Sequence, residues 1–136
     1  MIELNWWAII VAALVNMALG ALWYSKALFG KKWMELMGKK EEDIKNSKKD
    51  LWKMYGVTFV GSLVTSFILA LFMQYKEAST FLEGAILGIL GWIALVVPTN
   101  LSNVIFEGKN AKLFYISIGF YLASLVIMGG ILAVWQ

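Results

Sequence analysis

The chain has 136 residues, 60% of them hydrophobic and only 15% charged; a soluble domain carries about 25% charge, and one this small has too much surface to hide so much apolar sequence. It has no cysteine and no histidine, which excludes disulfides, thiolate metal sites and cysteine nucleophiles, and removes the commonest general base. The net charge of +3 rests on twelve lysines, nine of them between Lys26 and Lys53, so the basic character belongs to one loop and no nucleic-acid partner is expected.

A bilayer span takes about 20 mostly apolar residues. The first such run covers Leu4 to Tyr24. Glu3 precedes it and no lysine does, so the positive start of a cleavable signal peptide is missing and the run is expected to remain as a span. It ends on Trp23-Tyr24, amphipathic rings suited to a membrane interface. In the following "SKALFGKKWMELMGKKEED", Lys26, Lys31 and Lys32 alternate with Leu28, Phe29, Trp33, Leu36 and Met37 at near-helical spacing. This predicts a short interfacial helix, with Trp23, Tyr24, Lys31, Lys32 and Trp33 at the headgroup level. Two readings of it stand: a surface that binds anionic lipid, or a passive anchor for the first hairpin. From Lys39 to Asp50 both charge signs mix, as in a solvated helix or linker with local Glu–Lys pairs.

Three more spans follow, over residues 54–75, 82–106 and 113–135. The fold class is therefore an all-α polytopic membrane protein, a single integral domain with four transmembrane helices and a basic loop at 25–53. Lysine counts orient it. The first loop holds nine lysines, the second Lys76 alone, the third Lys109 and Lys112, and the tails none. The positive-inside rule places the first and third loops in the cytoplasm and both termini outside, in the plasma (inner) membrane.

Polar residues inside the spans gather toward the cytoplasmic half. Span one offers Asn16. Span two offers Thr58, Ser62 and Thr65, and span four Ser117, Tyr121 and Ser124, each set at i, i+4, i+7 and so on one helix face. Span three offers Thr99, Asn100, Asn103 and Glu107. The outer halves are almost purely apolar. This pattern predicts either a polar vestibule open to the cytoplasm, lined by Asn16, Thr58, Ser62, Thr99, Asn100, Asn103, Glu107, Ser117 and Tyr121, or hydrogen bonding that only holds the helices together. Pro98 removes a backbone hydrogen bond and predicts a kink just before Thr99-Asn100. Gly84, Gly88 and Gly91 form a small face for close packing, and Gly129-Gly130 can do the same for span four. Glu83, at the outer start of span three, reads as a favourable helix-terminal charge. Asn16 lies seven residues before Trp23, and Asn100 seven before Glu107; this spacing fits a duplicated hairpin or a chance likeness between apolar helices.

The block "LGALWYSKALFGKKW" from Leu19 to Trp33, after an asparagine in span one, resembles the small four-span membrane proteins catalogued as domain-of-unknown-function family 1761. The likeness continues in a looser block, "GWIALVVPTNLSNVIFEGKNAKLFYISIGFYL", from Gly91 to Leu122. The resemblance implies four transmembrane helices in a prokaryotic membrane and carries no activity or catalytic residues.

The expected function is that of a small membrane protein that binds or translocates a small solute or ion through the vestibule. The alternative is a structural or regulatory protein that binds lipid or a partner subunit. Four helices are few for a solute path, so a homo-oligomer is expected. No enzyme activity, metal or cofactor is expected, because Glu107 has no second acid beside it inside the membrane.

Overall fold

The structure is a computed structural model that describes residues 2–46 and 48–136, with the side chains of 44–49 left aside. The local Glu–Lys pairs expected for Lys45, Lys48 and Lys49 therefore lie outside the described side chains. Helix dominates and no strand occurs among the described residues. The elements are α1 (Trp6–Trp23), α2 (Gly30–Met37), α3 (Glu41–Asn46), α4 (Lys48–Tyr75), α5 (Phe81–Gly91), a π-helical turn (Trp92–Val96), α6 (Val97–Glu107) and α7 (Ala111–Val134).

Four stretches are long and apolar enough to cross a membrane: Trp6–Trp23, Asp50–Tyr75, Phe81–Glu107 and Ala111–Val134. At about 1.5 Å per residue α1 is about 27 Å long, close to the roughly 30 Å hydrocarbon core. The α4 helix starts six residues earlier than the apolar run, at Lys48. Lysines are good helix formers, and Asp50 in its first turn suits the positive end of the helix dipole. The bundle has a loop end, which carries α2 and α3, and a terminal end, where Gln74 Nε2 donates to the Glu3 carbonyl at 3.0 Å.

Local chemistry sets the helix ends. The Asn5 side chain accepts from the Trp7 and Ala8 amides at 3.1 and 3.2 Å and starts α1. At α5, Thr80 Oγ1 accepts from Glu83 N at 3.2 Å while Glu83 Oε2 accepts from the amides of Ser79 and Thr80 at 2.9 and 3.0 Å. This is a capping box, and it gives the Glu83 carboxylate the helix-terminal role its position suggests. Gly38 and Gly108 end α2 and α6 in the left-handed region, at φ +66° and +64°. Asn110 then restarts the chain as the cap of α7, accepting from Lys112 N at 2.9 Å.

α7 is the hub. It touches α1, α2, α4, α5, the π turn and α6. Its closest partner is α5: a Cβ on Gly84 would collide with the Gly129 carbonyl, and one on Gly88 with the Leu125 carbonyl. The two backbones meet because glycine leaves the room. Gly91, expected on the same face, has nothing within 4 Å of where its Cβ would stand. The π turn starts at the next residue and breaks the helical phase, so the glycine face stops at Gly88. At the terminal end Ala8, Ile9, Ala12, Met73, Met128, Leu132 and Ala133 pack into a buried apolar core. α4 contacts α5 only sparsely, which leaves an apolar groove of about 550 Å3 between them, flanked by Ile68, Phe72, Leu87 and Leu95.

The expected disruption at Pro98 takes the form of the π turn. Val97 N–H reaches back five residues to the Trp92 carbonyl. Proline has no N–H, and its ring would strike the carbonyl four residues earlier in an α-helix; widening the turn moves that carbonyl aside.

Candidate functional site

Asn16 stands at the centre of a three-helix junction. Its Nδ2 donates to Ser62 Oγ on α4 at 2.8 Å, and its Oδ1 accepts from Ser124 Oγ on α7. Ser124 also contacts Met128 Sδ at 3.5 Å. One turn deeper, Ser66 Oγ, fully buried, donates to the Ile9 carbonyl at 2.8 Å and ties α4 to α1 again. Serine is short, so at these positions the helices come near enough for a side chain to cross.

From this junction to the loop end, α1 and α4 part and leave a cleft of about 720 Å3. Its walls are Met17, Gly20, Ala21 and Tyr24 from α1 and the following turn, and Leu51, Met54, Tyr55, Thr58, Gly61 and Thr65 from α4. Phe120 and Tyr121 of α7 form the back wall, and Asn16 and Ser62 the inner end. Among the described residues no charged side chain lines it. The cleft is apolar with a hydrogen-bonding inner end, which suits an amphipathic guest.

The structure thus gathers Asn16, Thr58, Ser62 and Tyr121, but it does not bring the span-three residues to them. Thr99 Oγ1 donates to the Leu95 carbonyl at 2.6 Å and Asn100 Nδ2 to the Val96 carbonyl at 2.9 Å, both within their own helix. Thr99 and Glu107 are exposed and Asn103 is half-buried, and none of these lines the cleft. Glu107 pairs with Lys109 at 2.8 Å, outside any cavity. The physical reason is that α6, beyond the π turn, packs mainly on α7 and makes no close packing with α1 or α4. Asn16 and Asn100 therefore have different roles, and the hairpin correspondence between them does not extend to function. Ser117 lies beside the Tyr24 hydroxyl. Thr58 and Thr65 donate to the Met54 and Gly61 carbonyls of their own helix at 2.7 and 3.0 Å, so their hydroxyls hold nothing across the cleft.

Residues outside the expected vestibule complete the site, some of them expected only at the membrane interface. Trp23 Nε1 donates to the Ile116 carbonyl at 3.0 Å and Trp92 Nε1 to the Ile118 carbonyl at 2.8 Å, so two indoles clasp the same turn of α7. Trp23 packs on Phe29 and Phe120, with centroids 4.9 and 6.3 Å apart, and Tyr24 meets Trp33 edge-on at 6.1 Å. These rings fasten α2 beneath the cleft. Ser66 and Trp92 are apolar-run residues by position, whereas Trp23 stood out as an interfacial ring; only the i, i+4 spacing of Ser62 and Ser66 signals their shared face. Among the described residues no group of three metal-ligating side chains occurs.

Four apolar helices, three of them joined by an asparagine-centred junction, make this a small multi-pass membrane protein. Over residues 7–133 the chain matches the family described as protein of unknown function (DUF1761), and it belongs to that family. No curated protein and no solved structure matches it.

Proposed function

We propose that the protein binds an amphipathic small molecule in the cleft between α1 and α4, which opens toward the cytoplasm, and does not carry it across the membrane. The observation that carries this reading is the one-sidedness of the cleft. Its inner end meets the Asn16–Ser62–Ser124 junction. Behind that lies the close-packed apolar core around Ala12, Met73 and Met128. A polar solute would have to cross that core without a partner, at a cost of several kcal/mol per polar group. The orientation follows from the lysine-rich loop at the cleft mouth. The reading is of a binding protein and not an enzyme: among the described residues the cleft has no carboxylate or lysine to move a proton.

Single cysteines test it, since the native chain has none. Thr58→Cys and Gly61→Cys should react with an impermeant maleimide only from the cytoplasmic face of vesicles, and Ser66→Cys from neither face. Reaction at Gly61→Cys from the outer face, or none at Thr58→Cys and Gly61→Cys, would overturn the reading.

A further inference from the structure

The cleft and the groove between α4 and α5 are two halves of one furrow. Thr65 lines both. On α4 the cleft residues Thr58 and Gly61 precede it and the groove residues Ile68 and Phe72 follow it, at steps of three and four, so all five share one helix face. α7 shows the same continuity: Tyr121 backs the cleft, and Leu125, one turn on, floors the groove. The furrow stays open because α4 contacts α5 only sparsely. Glycine keeps both halves wide, since a Cβ on Gly61 or Gly91 would meet nothing within 4 Å. Ser62 and Ser66 turn toward α1, whereas Thr65, Ile68 and Phe72 lie on the exposed flank of α4. An apolar tail can therefore pass beside the Asn16 junction, although a polar solute cannot pass through it.

Length selects the tail. From Tyr55 to Phe72 the furrow follows seventeen residues of α4, about 26 Å of helix. One leaflet of hydrocarbon is about 15 Å deep, so a phospholipid acyl chain, which ends near the midplane, fills only the cleft half. A polyisoprenoid tail reaches further. The other end of the furrow selects the head. Tyr24, Tyr55, Phe120 and Tyr121 line it, with Phe120 centred 5.8 Å from Tyr24 and 5.5 Å from Tyr121. Tyr55 and Tyr121 remain 54% and 42% exposed, and their hydroxyls have no hydrogen-bond partner among the described residues. Open ring faces pack on a planar ring, and phenol hydroxyls donate to carbonyl oxygens. A quinone ring offers both the plane and the acceptors.

We infer that the amphipathic guest is an isoprenoid quinone, with its ring among the tyrosines of the cleft and its tail running along α4, past Thr65, into the groove. This rests on the cleft being a binding site, as proposed above, and names the ligand class of that site.

Full-length protein in nanodiscs doped with equal amounts of an octaprenyl quinone, the diprenyl quinone with the same ring, and octaprenyl phosphate, released and weighed by native mass spectrometry, tests it. The native chain should retain the octaprenyl quinone over each competitor by about fivefold, the ratio that about 1 kcal/mol supplies. In Gly91→Trp, whose side chain has open space in the groove, the two quinones should bind equally. In Gly61→Trp, whose side chain has open space in the cleft, both should be lost. A melting midpoint near the native one shows that each variant is folded, and the native ratios need no variant at all. Equal retention of the two quinones by the native chain, or an unchanged preference in folded Gly91→Trp, would overturn the tail assignment. Octaprenyl phosphate retained as well as the quinone would overturn the head assignment. In either case the cleft reading stands if folded Gly61→Trp loses what the native chain retains, and falls with the inference if it does not. If the native chain retains no quinone the inference falls, and the cysteine labelling above decides the cleft by itself.

Discussion

Replacing Asn16 with leucine removes the amide that joins α1 to α4 and α7 while leaving a side chain of similar size. Two interhelical hydrogen bonds disappear, one to Ser62 and one from Ser124. Bonds of this kind in membranes are worth about 0.6 kcal/mol each, so the loss is about 1.2 kcal/mol, roughly a sevenfold change in the folded ratio. The stranded serines should add little, because a hydroxyl in a helix can turn to its own carbonyls, as Thr58 does to Met54 at 2.7 Å. Asn100→Leu is the control. Its amide bonds only the Val96 carbonyl of its own helix, and its removal should cost under about 0.5 kcal/mol. Reversible unfolding in mixed detergent and dodecyl sulfate micelles, followed by the fluorescence of the seven tryptophans, measures both. A cost for Asn100→Leu equal to that of Asn16→Leu, or no cost for Asn16→Leu, would refute the division drawn between the two asparagines.

The same measurement should separate the glycines of span three. Gly84→Ala drives a methyl into the Gly129 backbone and should cost about 1–3 kcal/mol, whereas Gly91→Ala meets open space and should be neutral or stabilising by up to about 1 kcal/mol. Trp92→Phe keeps an aromatic six-membered ring but loses the indole N–H and its bond to the Ile118 carbonyl; a loss of at least about 0.6–1.7 kcal/mol is expected, and a neutral result would show that the indole N–H does not clasp α7. Glu83→Ala removes the reciprocal half of the capping box on α5, for an expected loss of about 0.5–2 kcal/mol, read as a lower melting midpoint by circular dichroism.

The four spans were legible because a run of about 20 apolar residues has few other destinations. The helix at Gly30–Met37 showed in the spacing of Trp33, Leu36 and Met37, and the Gly84–Gly88 contact in its four-residue step. Which polar side chains cross between helices was not legible. Thr58, Ser62 and Thr65 share one face, yet only Ser62 reaches a neighbouring helix, while the two threonines bond back to α4. That choice depends on how closely the next helix approaches, a tertiary quantity with no local signature. Asn16 and Asn100 have the same chemistry and similar depth. They diverge because the π turn ahead of Pro98 offers Asn100 a nearby carbonyl, and α6 makes no close packing with α1 or α4. The proline announced a break in span three, but not that the break would take Gly91 off the packing face.

The hub position of α7 has a consequence for how the protein is made. Of the four spans, the one packed most extensively on the others emerges last from the ribosome. Until it enters the bilayer, Asn16 has only Ser62, and Gly84 and Gly88 face no partner backbone. Spans one and two can already pair through Ser62 and Ser66, but the glycine face of span three must wait for its partner, so closure of the bundle is a late event. A nascent chain truncated before Ala111 should consequently be the form that quality-control proteases remove.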